Sequence, residues 1–216
     1  MNRFFLIISI VFISGCVTSE GLHKAAEDSK ALFNITSTGI SEFDGSKHIR
    51  ITNIRCNDIA FRLYQDTAKA KRAVVLLEAG VQYIENIANG ESLQIKLDST
   101  TISLKTNDVT TNYTSEWYGS GAYATEKNIS LKTYIVPEST IEAIAKSNLF
   151  IARVHLLDNT YVEDKCSFLT LEEMRDRGGK YVDRKIIDQK YVDITNQSTA
   201  LVGLRKFVKL MNETKL

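Results

Sequence analysis

Histidines are the side chains best suited to acid–base catalysis near neutral pH, and the sequence has three: His23, His48 and His155. By pattern, they fall in a predicted helix, at a loop edge and in a strand. None has another histidine, a cysteine or a carboxylate at the spacing of a metal site, and no HExxH motif occurs. The pattern therefore favours histidines satisfied by neighbouring groups over catalytic or metal-binding ones.

Other catalytic motifs are incomplete. The Gly-Ser-Gly at residues 119–121 lacks the G-x-S-x-G spacing of a nucleophile elbow. The Gly-Gly-Lys at residues 178–180 lacks the first glycine and the final Ser/Thr of a phosphate-binding loop. The acidic pairs at 163–164 and 172–173 are adjacent in sequence, so neither pair is aimed at one point on a strand or a helix. The sequence predicts no catalytic, cofactor-binding or metal site.

A cysteine follows an apolar leader at the start of the chain. Arg3 precedes an apolar run of ten residues, 4–13. That run is too short to cross a bilayer core, which needs about 20 helical residues, but it suits the hydrophobic part of a signal peptide. The small residues Ser14 and Gly15 then come directly before Cys16.

The segment Ile13-Ser14-Gly15-Cys16 resembles the lipobox of bacterial lipoproteins, with Ile13 standing where leucine is usual. The resemblance implies that Cys16 is alkylated with diacylglycerol, that residues 1–15 are removed, and that the new amino terminus receives a fatty acid such as palmitate. Two or three acyl chains anchor a protein far more firmly than one. Val17, in place of aspartate, implies delivery to the outer membrane, facing the periplasm. A plain secretory signal or a short membrane anchor remains the alternative.

Cys56 and Cys166 are the two cysteines left in the mature chain. An even pair in an oxidising compartment favours a disulfide bond, although two buried free thiols would also fit the sequence. A bridge would stabilise the fold by about 4–5 kcal/mol on the chain-entropy model.

Charge is balanced over the mature chain. The sequence has 27 basic and 26 acidic residues, and Arg3 is lost with the leader, so the remaining net charge is zero. The mature chain therefore lacks the strong positive electrostatic field that attracts nucleic acid. From residue 175 to 216 there are ten basic and five acidic residues, which we interpret as a solvated face.

The apolar pattern predicts an α+β fold with a mainly antiparallel, sandwich-like sheet and packed helices. Predicted strands cover 58–64, 73–80, a hairpin at 92–106, 128–136, a central strand at 149–157 covered on both sides, and 160–163. Helices are expected at 22–33, after a capping box of Ser139 and Glu142, beyond residue 170, and in an amphipathic segment near the C-terminus. Residues 34–47 are expected to form a loop.

The chain is predicted to hold one folded domain at 48–216, preceded by a lipidated tether and short helix at 16–47. The pentapeptide ISLKT occurs at 102 and at 129. Two equal strands could lie side by side in one sheet, but the sequence slightly favours coincidence.

The aromatic segment around Trp117, Tyr118 and Tyr123 is a candidate binding loop, because rings on flexible backbone make good anchors for proteins or glycans. The alternative is that the rings cover the core.

Two functions are consistent with the sequence. The favoured one is a non-catalytic envelope lipoprotein, held at the membrane by its lipid, whose domain binds an envelope protein or a glycan. The other is a tethered cell-envelope hydrolase, with His155, Glu163 and Asp164 as the first residues to test.

Overall fold

The structure is a computed structural model that describes residues 18–42, 44–66, 74–118, 125–178 and 182–214. The leader and Cys16 lie outside this part of the chain. In chain order the elements are α1 (Ser19–Lys30), β1 (Ile35–Ile40), β2 (Lys47–Cys56), β3 (Ile59–Asp66), β4 (Val74–Val81), β5 (Gly90–Leu97), β6 (Thr100–Thr106), β7 (Asn112–Tyr118), β8 (Thr125–Pro137), α2 (Glu138–Lys146), β9 (Phe150–His155), β10 (Tyr161–Lys165), α3 (Leu171–Gly178), a 3₁₀ turn (Arg184–Ile186), α4 (Gln189–Asn196) and α5 (Ala200–Thr214).

The strands form two antiparallel sheets. The larger has the order β1-β2-β3-β4-β8-β7, and the smaller has the order β10-β9-β5-β6. Apolar residues at alternate positions build the inner face of the larger sheet: on β3, Ile59, Phe61 and Leu63 are buried. On the smaller sheet, Phe150 and Val154 of β9 are likewise buried.

The inner faces of the two sheets share one hydrophobic core. The ring centroids of Phe61 and Phe150, one from each sheet, lie 5.8 Å apart. Helix α5 packs on β2 and on α2, and its buried residues include Leu201, Leu204 and Met211. The predicted sandwich-like α+β fold with an amphipathic C-terminal helix is confirmed.

A second, smaller apolar cluster joins the remaining helices. Leu22 of α1, Met174 of α3 and Val192 of α4 are buried in it, together with Ile187 after the 3₁₀ turn. This cluster fixes the N-terminal helix against the C-terminal third of the chain, and we refer to it as the helical cluster.

Cys56 and Cys166 form a disulfide bond with a Cα–Cα distance of 4.7 Å. Cys56 ends β2 and Cys166 directly follows β10, so the bridge joins the larger sheet to the smaller one. The disulfide bond predicted from the sequence is confirmed, and the alternative of two free thiols is wrong.

The N-terminal segment is more ordered than the sequence indicates. Residues 35–40, expected in a loop, form edge strand β1, which pairs with β2 from Ile35 opposite Thr52 to Ile40 opposite Lys47. Together with α1, this strand places folded structure within the stretch expected to be a tether and short helix.

Two local predictions are wrong, and the alternative that the two ISLKT segments pair in one sheet is excluded. Strand β8 runs through Pro137, and α2 begins at Glu138 with no side-chain cap, so Ser139 and Glu142 make no capping box. The two ISLKT segments lie on β6 and β8, in different sheets. Strand β9 is internal, but only alternate residues such as Ala152 are buried, and the other face is partly exposed rather than fully covered.

Candidate functional site

A cleft of about 400 Å³ lies beside the Cys56–Cys166 bond, and we call it the disulfide cleft. The ends of β2 and β10, helices α3 and α4, and the segment before β1 form its walls. The described lining residues are Phe33, Arg55, Cys56, Asn57, Gln82, Lys127, Lys165, Cys166, Ser167, Leu169, Met174, Arg177, Gly178, Val182, Tyr191, Thr195, Ser198 and Thr199. The volume falls within the range of small-molecule sites.

The charged residues in the described lining of the cleft all have the same sign. Its described lining includes four basic residues, Arg55, Lys127, Lys165 and Arg177, and no acidic residue. An arrangement of this kind attracts anions, although carboxylates behind the lining neutralise some of the charge.

The positive charge of Arg55 is neutralised by a carboxylate that does not line the cleft. Its Nη2 donates to Glu116 Oε2 at 2.7 Å, and Glu116 Oε1 accepts from Arg62 Nε at 2.7 Å. The side chains of Arg55 and Glu116 are 6% and 11% exposed, so this is an almost buried ionic network. Burial lowers the pKa of Arg55 to about 10, against the opposing attraction of Glu116. Arg55 therefore serves mainly to hold β2, β3 and β7 together.

Lys165 is likewise paired, because its Nζ donates to both carboxylate oxygens of Glu173, at 2.7 and 2.9 Å. Arg177 differs. It is half-buried, and it makes no ion pair or hydrogen bond with the described residues. Among the described lining residues, Arg177 is therefore a cation that no acidic side chain binds directly, although its charge acts on the Asp164 carboxylate.

A buried hydroxyl lies in the same wall. Ser167 is 1% exposed, and its Oγ has no hydrogen-bond partner among the described residues. A buried hydroxyl without a partner is unfavourable, so a ligand that accepts its hydrogen bond would remove a cost of the unliganded state.

Asp164 lies next to this wall, with its carboxylate turned towards the β2–β3 turn. Its Oδ2 accepts from the Asp58 amide at 2.9 Å. Burial raises the pKa of Asp164 to about 6, while the Asp58 amide and Arg177 oppose the shift. The pKa of Asp164 is therefore determined by burial and by contacts with the β2–β3 turn, not by a catalytic partner.

His23 and His48 each lie beside polar or aromatic groups. His23, on α1, has Nε2 2.8 Å from Asp188 Oδ1 and 3.4 Å from Ser19 Oγ. Serine and aspartate lie against the same ring nitrogen, whereas a catalytic relay requires one on each nitrogen. His48 lies on β2 rather than at a loop edge, and its ring stacks on Tyr64 at 6.1 Å.

The residues proposed for a hydrolase each contact a different neighbour. The His155 ring is 6.2 Å from the ring of Tyr161. Glu163 accepts from Arg153 Nε at 2.7 Å, whereas Asp164 binds the Asp58 amide. Each acidic residue thus has its own structural partner. Among the described residues, no group of three His, Cys, Asp or Glu side chains could hold a metal ion.

The aromatic segment expected to be a binding loop is placed only in part. The backbones of Trp117 and Tyr118 belong to strand β7, opposite Glu126 and Thr125 of β8. Tyr123, like Cys16, lies outside the described residues.

Sequence reasoning missed the residues that give the cleft its charge. Arg55 interrupts apolar strand β2, and Arg62, which lies outside the cleft lining, interrupts β3; such arginines are a detectable signal for a buried ion pair. The partner, Glu116, is 61 positions from Arg55 and could not be identified from spacing. Arg177 and Ser167 carry no motif.

No protein-family model matches this chain, and comparison with curated proteins and with solved structures finds no significant similarity. In the part of the chain that the structure describes, no helix has both the length and the apolar character needed to span a bilayer.

Proposed function

We propose that this chain is a bacterial envelope lipoprotein, anchored by lipid on Cys16, whose domain is a non-catalytic binding module. The leader and the lipobox-like segment at residues 13–16 motivate the anchor. The Cys56–Cys166 disulfide supports export, since such bonds persist in oxidising compartments. Val17 after Cys16 favours the outer membrane, with the domain facing the periplasm.

The observation that carries the binding role is the disulfide cleft. It combines a volume suited to a ligand with four basic lining residues and no described acidic one. The hydrolase alternative gains no support from geometry, because His155, Glu163 and Asp164 have separate partners.

The tether in this proposal is very short. Helix α1 begins at Ser19, and Thr18 already caps it through Oγ1, which accepts from the Gly21 amide at 3.1 Å. Three residues span at most about 11 Å, so a lipid on Cys16 would hold α1 close to the membrane surface. Binding would then take place next to the bilayer rather than at a distance from it.

Replacing the lipidated residue tests the proposal. Cys16→Ser should move the full chain from the membrane fraction to the soluble or unprocessed fraction and abolish incorporation of labelled palmitate. Val17→Ala is the matched control, because it alters the neighbouring position and leaves the thiol. Unchanged membrane association and labelling in Cys16→Ser would overturn the anchor.

A further inference from the structure

We propose that the disulfide cleft binds a single-chain lipid with an anionic head group, such as a fatty acid or a lysophospholipid, with the head group at Arg177 and Ser167. The proposal rests on the lipid anchor described above, because the anchor places the cleft beside a membrane. It names a class of ligand for the domain, which the proposed function leaves open.

The free donors in the cleft select an anion. Arg55 and Lys165 are already bound to Glu116 and Glu173, whereas half-buried Arg177 has no ion pair with a described residue. The planar guanidinium suits carboxylate and phosphate groups. Ser167 lines the same wall, and its hydroxyl, buried and without a partner in the described structure, becomes a second donor once the side chain rotates towards a ligand.

The remaining lining residues favour a ligand that has an apolar part next to its charged group. Phe33, Leu169, Met174, Val182 and Tyr191 line the cleft along with the disulfide. An inorganic anion would use the basic groups and leave this apolar surface in contact with water, whereas an acyl chain would cover it. Methionine also adapts to irregular apolar ligands.

The position of the cleft favours a ligand that comes from the bilayer. The Asp188 carboxylate accepts from the Ser19 hydroxyl at 2.9 Å and from the Tyr191 amide at 2.9 Å. Ser19 is three residues from Cys16, and Tyr191 lines the cleft. One side chain therefore joins the first residue of α1, where the tether ends, to the cleft wall. The cleft lining on α4 extends from Tyr191 to Thr195, about 6 Å along the helix.

Photolabelling of the full-length mature protein in phosphatidylcholine vesicles tests the proposal. The probes are a palmitate analogue with a diazirine in its chain, a lysophosphatidylglycerol with the same chain, and the corresponding uncharged fatty alcohol. We expect either anionic probe to label peptides that contain Leu169 or Met174 at least about tenfold more than the alcohol does. Labelling by one anion and not the other identifies the head group. Equal labelling by the alcohol, or labelling confined to other peptides, would overturn the proposal.

Point variants distinguish binding in the cleft from a general effect of positive charge on the protein surface. Arg177→Gln should reduce labelling about tenfold, and Ser167→Ala about threefold. Lys190→Gln is the matched control, since it removes an exposed positive charge beside Tyr191 but outside the lining. Melting curves show that each variant is folded. If Arg177→Gln labels like Lys190→Gln, the cleft is not an anion site.

The intact mass of the same preparation distinguishes failure of this inference from failure of the anchor. An acylated protein that takes no probe overturns the ligand and leaves the anchor. A protein without acyl groups that still takes the anionic probe overturns the anchor and supports the ligand.

Discussion

The Ser19 hydroxyl donates a hydrogen bond of 2.9 Å to the Asp188 carboxylate, across 169 positions of the chain. The same carboxylate lies 2.8 Å from His23 Nε2 and caps α4 through the Tyr191 amide. Asp188 thus fastens the helix nearest the proposed anchor to the helix that lines the disulfide cleft.

We expect Asp188→Ala to loosen α1 from α4 without unfolding the two sheets. Hydrogen exchange of the α1 amides should become faster, while amides of β3 and β4 keep their protection. Asp193→Ala is the control, because Asp193 lies on α4 and its carboxylate accepts from Gln189 of the same helix. Equal exchange in the Asp188 variant and the wild type would contradict the role of this residue.

The α1–α4 contact should resist acid. The Tyr191 amide, followed by His23, lowers the pKa of Asp188 from 3.8 to about 2. A lowered folded-state pKa stabilises the contact fully above about pH 4 and loses that contribution as the pH falls through about 2. Exchange of α1 amides should therefore stay slow down to about pH 3. Release of α1 between pH 6 and pH 4 would contradict this assignment.

The disulfide should account for a large part of the stability. It closes a loop with a sequence separation of 110, worth about 4–5 kcal/mol. Cys56→Ala, Cys166→Ala and the double variant should lose nearly the same free energy of unfolding in urea, because any of them removes the bridge. Reduction of the wild type should reproduce that loss and leave the double variant unchanged. Additive losses from the two single variants would argue against a bridge in solution.

Glu116 should stabilise the fold more than its neighbour Glu78. Glu116→Gln removes the carboxylate shared by Arg55 and Arg62, so two poorly exposed cations lose their counter-charge, at a cost of about 3 kcal/mol. Glu78 is 39% exposed and 3.6 Å from Arg62, so Glu78→Gln should cost under about 1 kcal/mol. Equal losses in the two variants, measured by urea unfolding, would contradict the network.

Asp164 should make stability fall as the pH rises. Its pKa in the folded protein is raised from 3.8 to about 6, so between these values the folded state binds more protons than the unfolded state. The free energy of unfolding should decrease from pH 4 to pH 6 through this group and then level off. Asp164→Asn should lack that decrease, whereas Glu163→Gln should keep it. A decrease of the same size in Asp164→Asn would refute the assignment.

The sequence predicted the elements that are defined by local apolar pattern. Alternation along 58–64 and 149–157 identified β3 and β9, because one face of each strand is buried. Edge strand β1 was missed because its side chains are almost all exposed, so burial imposes no alternation on them. The capping box failed because the pairing of β8 with β4 continues to Pro137, which places Ser139 inside the first turn.

The cleft could not be predicted for a different reason. Its lining comes from Phe33, the end of β2, the end of β10 and helices α3 and α4, and only the fold brings these segments together. The disulfide was predictable because two cysteines remain in the mature chain and the leader indicates an oxidising compartment. The contact between Ser19 and Asp188 has no local signature.

The mass of the N-terminal peptide of protein purified from membranes tests the central claim most directly. We expect a peptide that begins at Cys16 and carries diacylglycerol and an amide-linked fatty acid, with no trace of residues 1–15. A peptide with an intact leader, or one with an unmodified thiol at Cys16, would contradict the account.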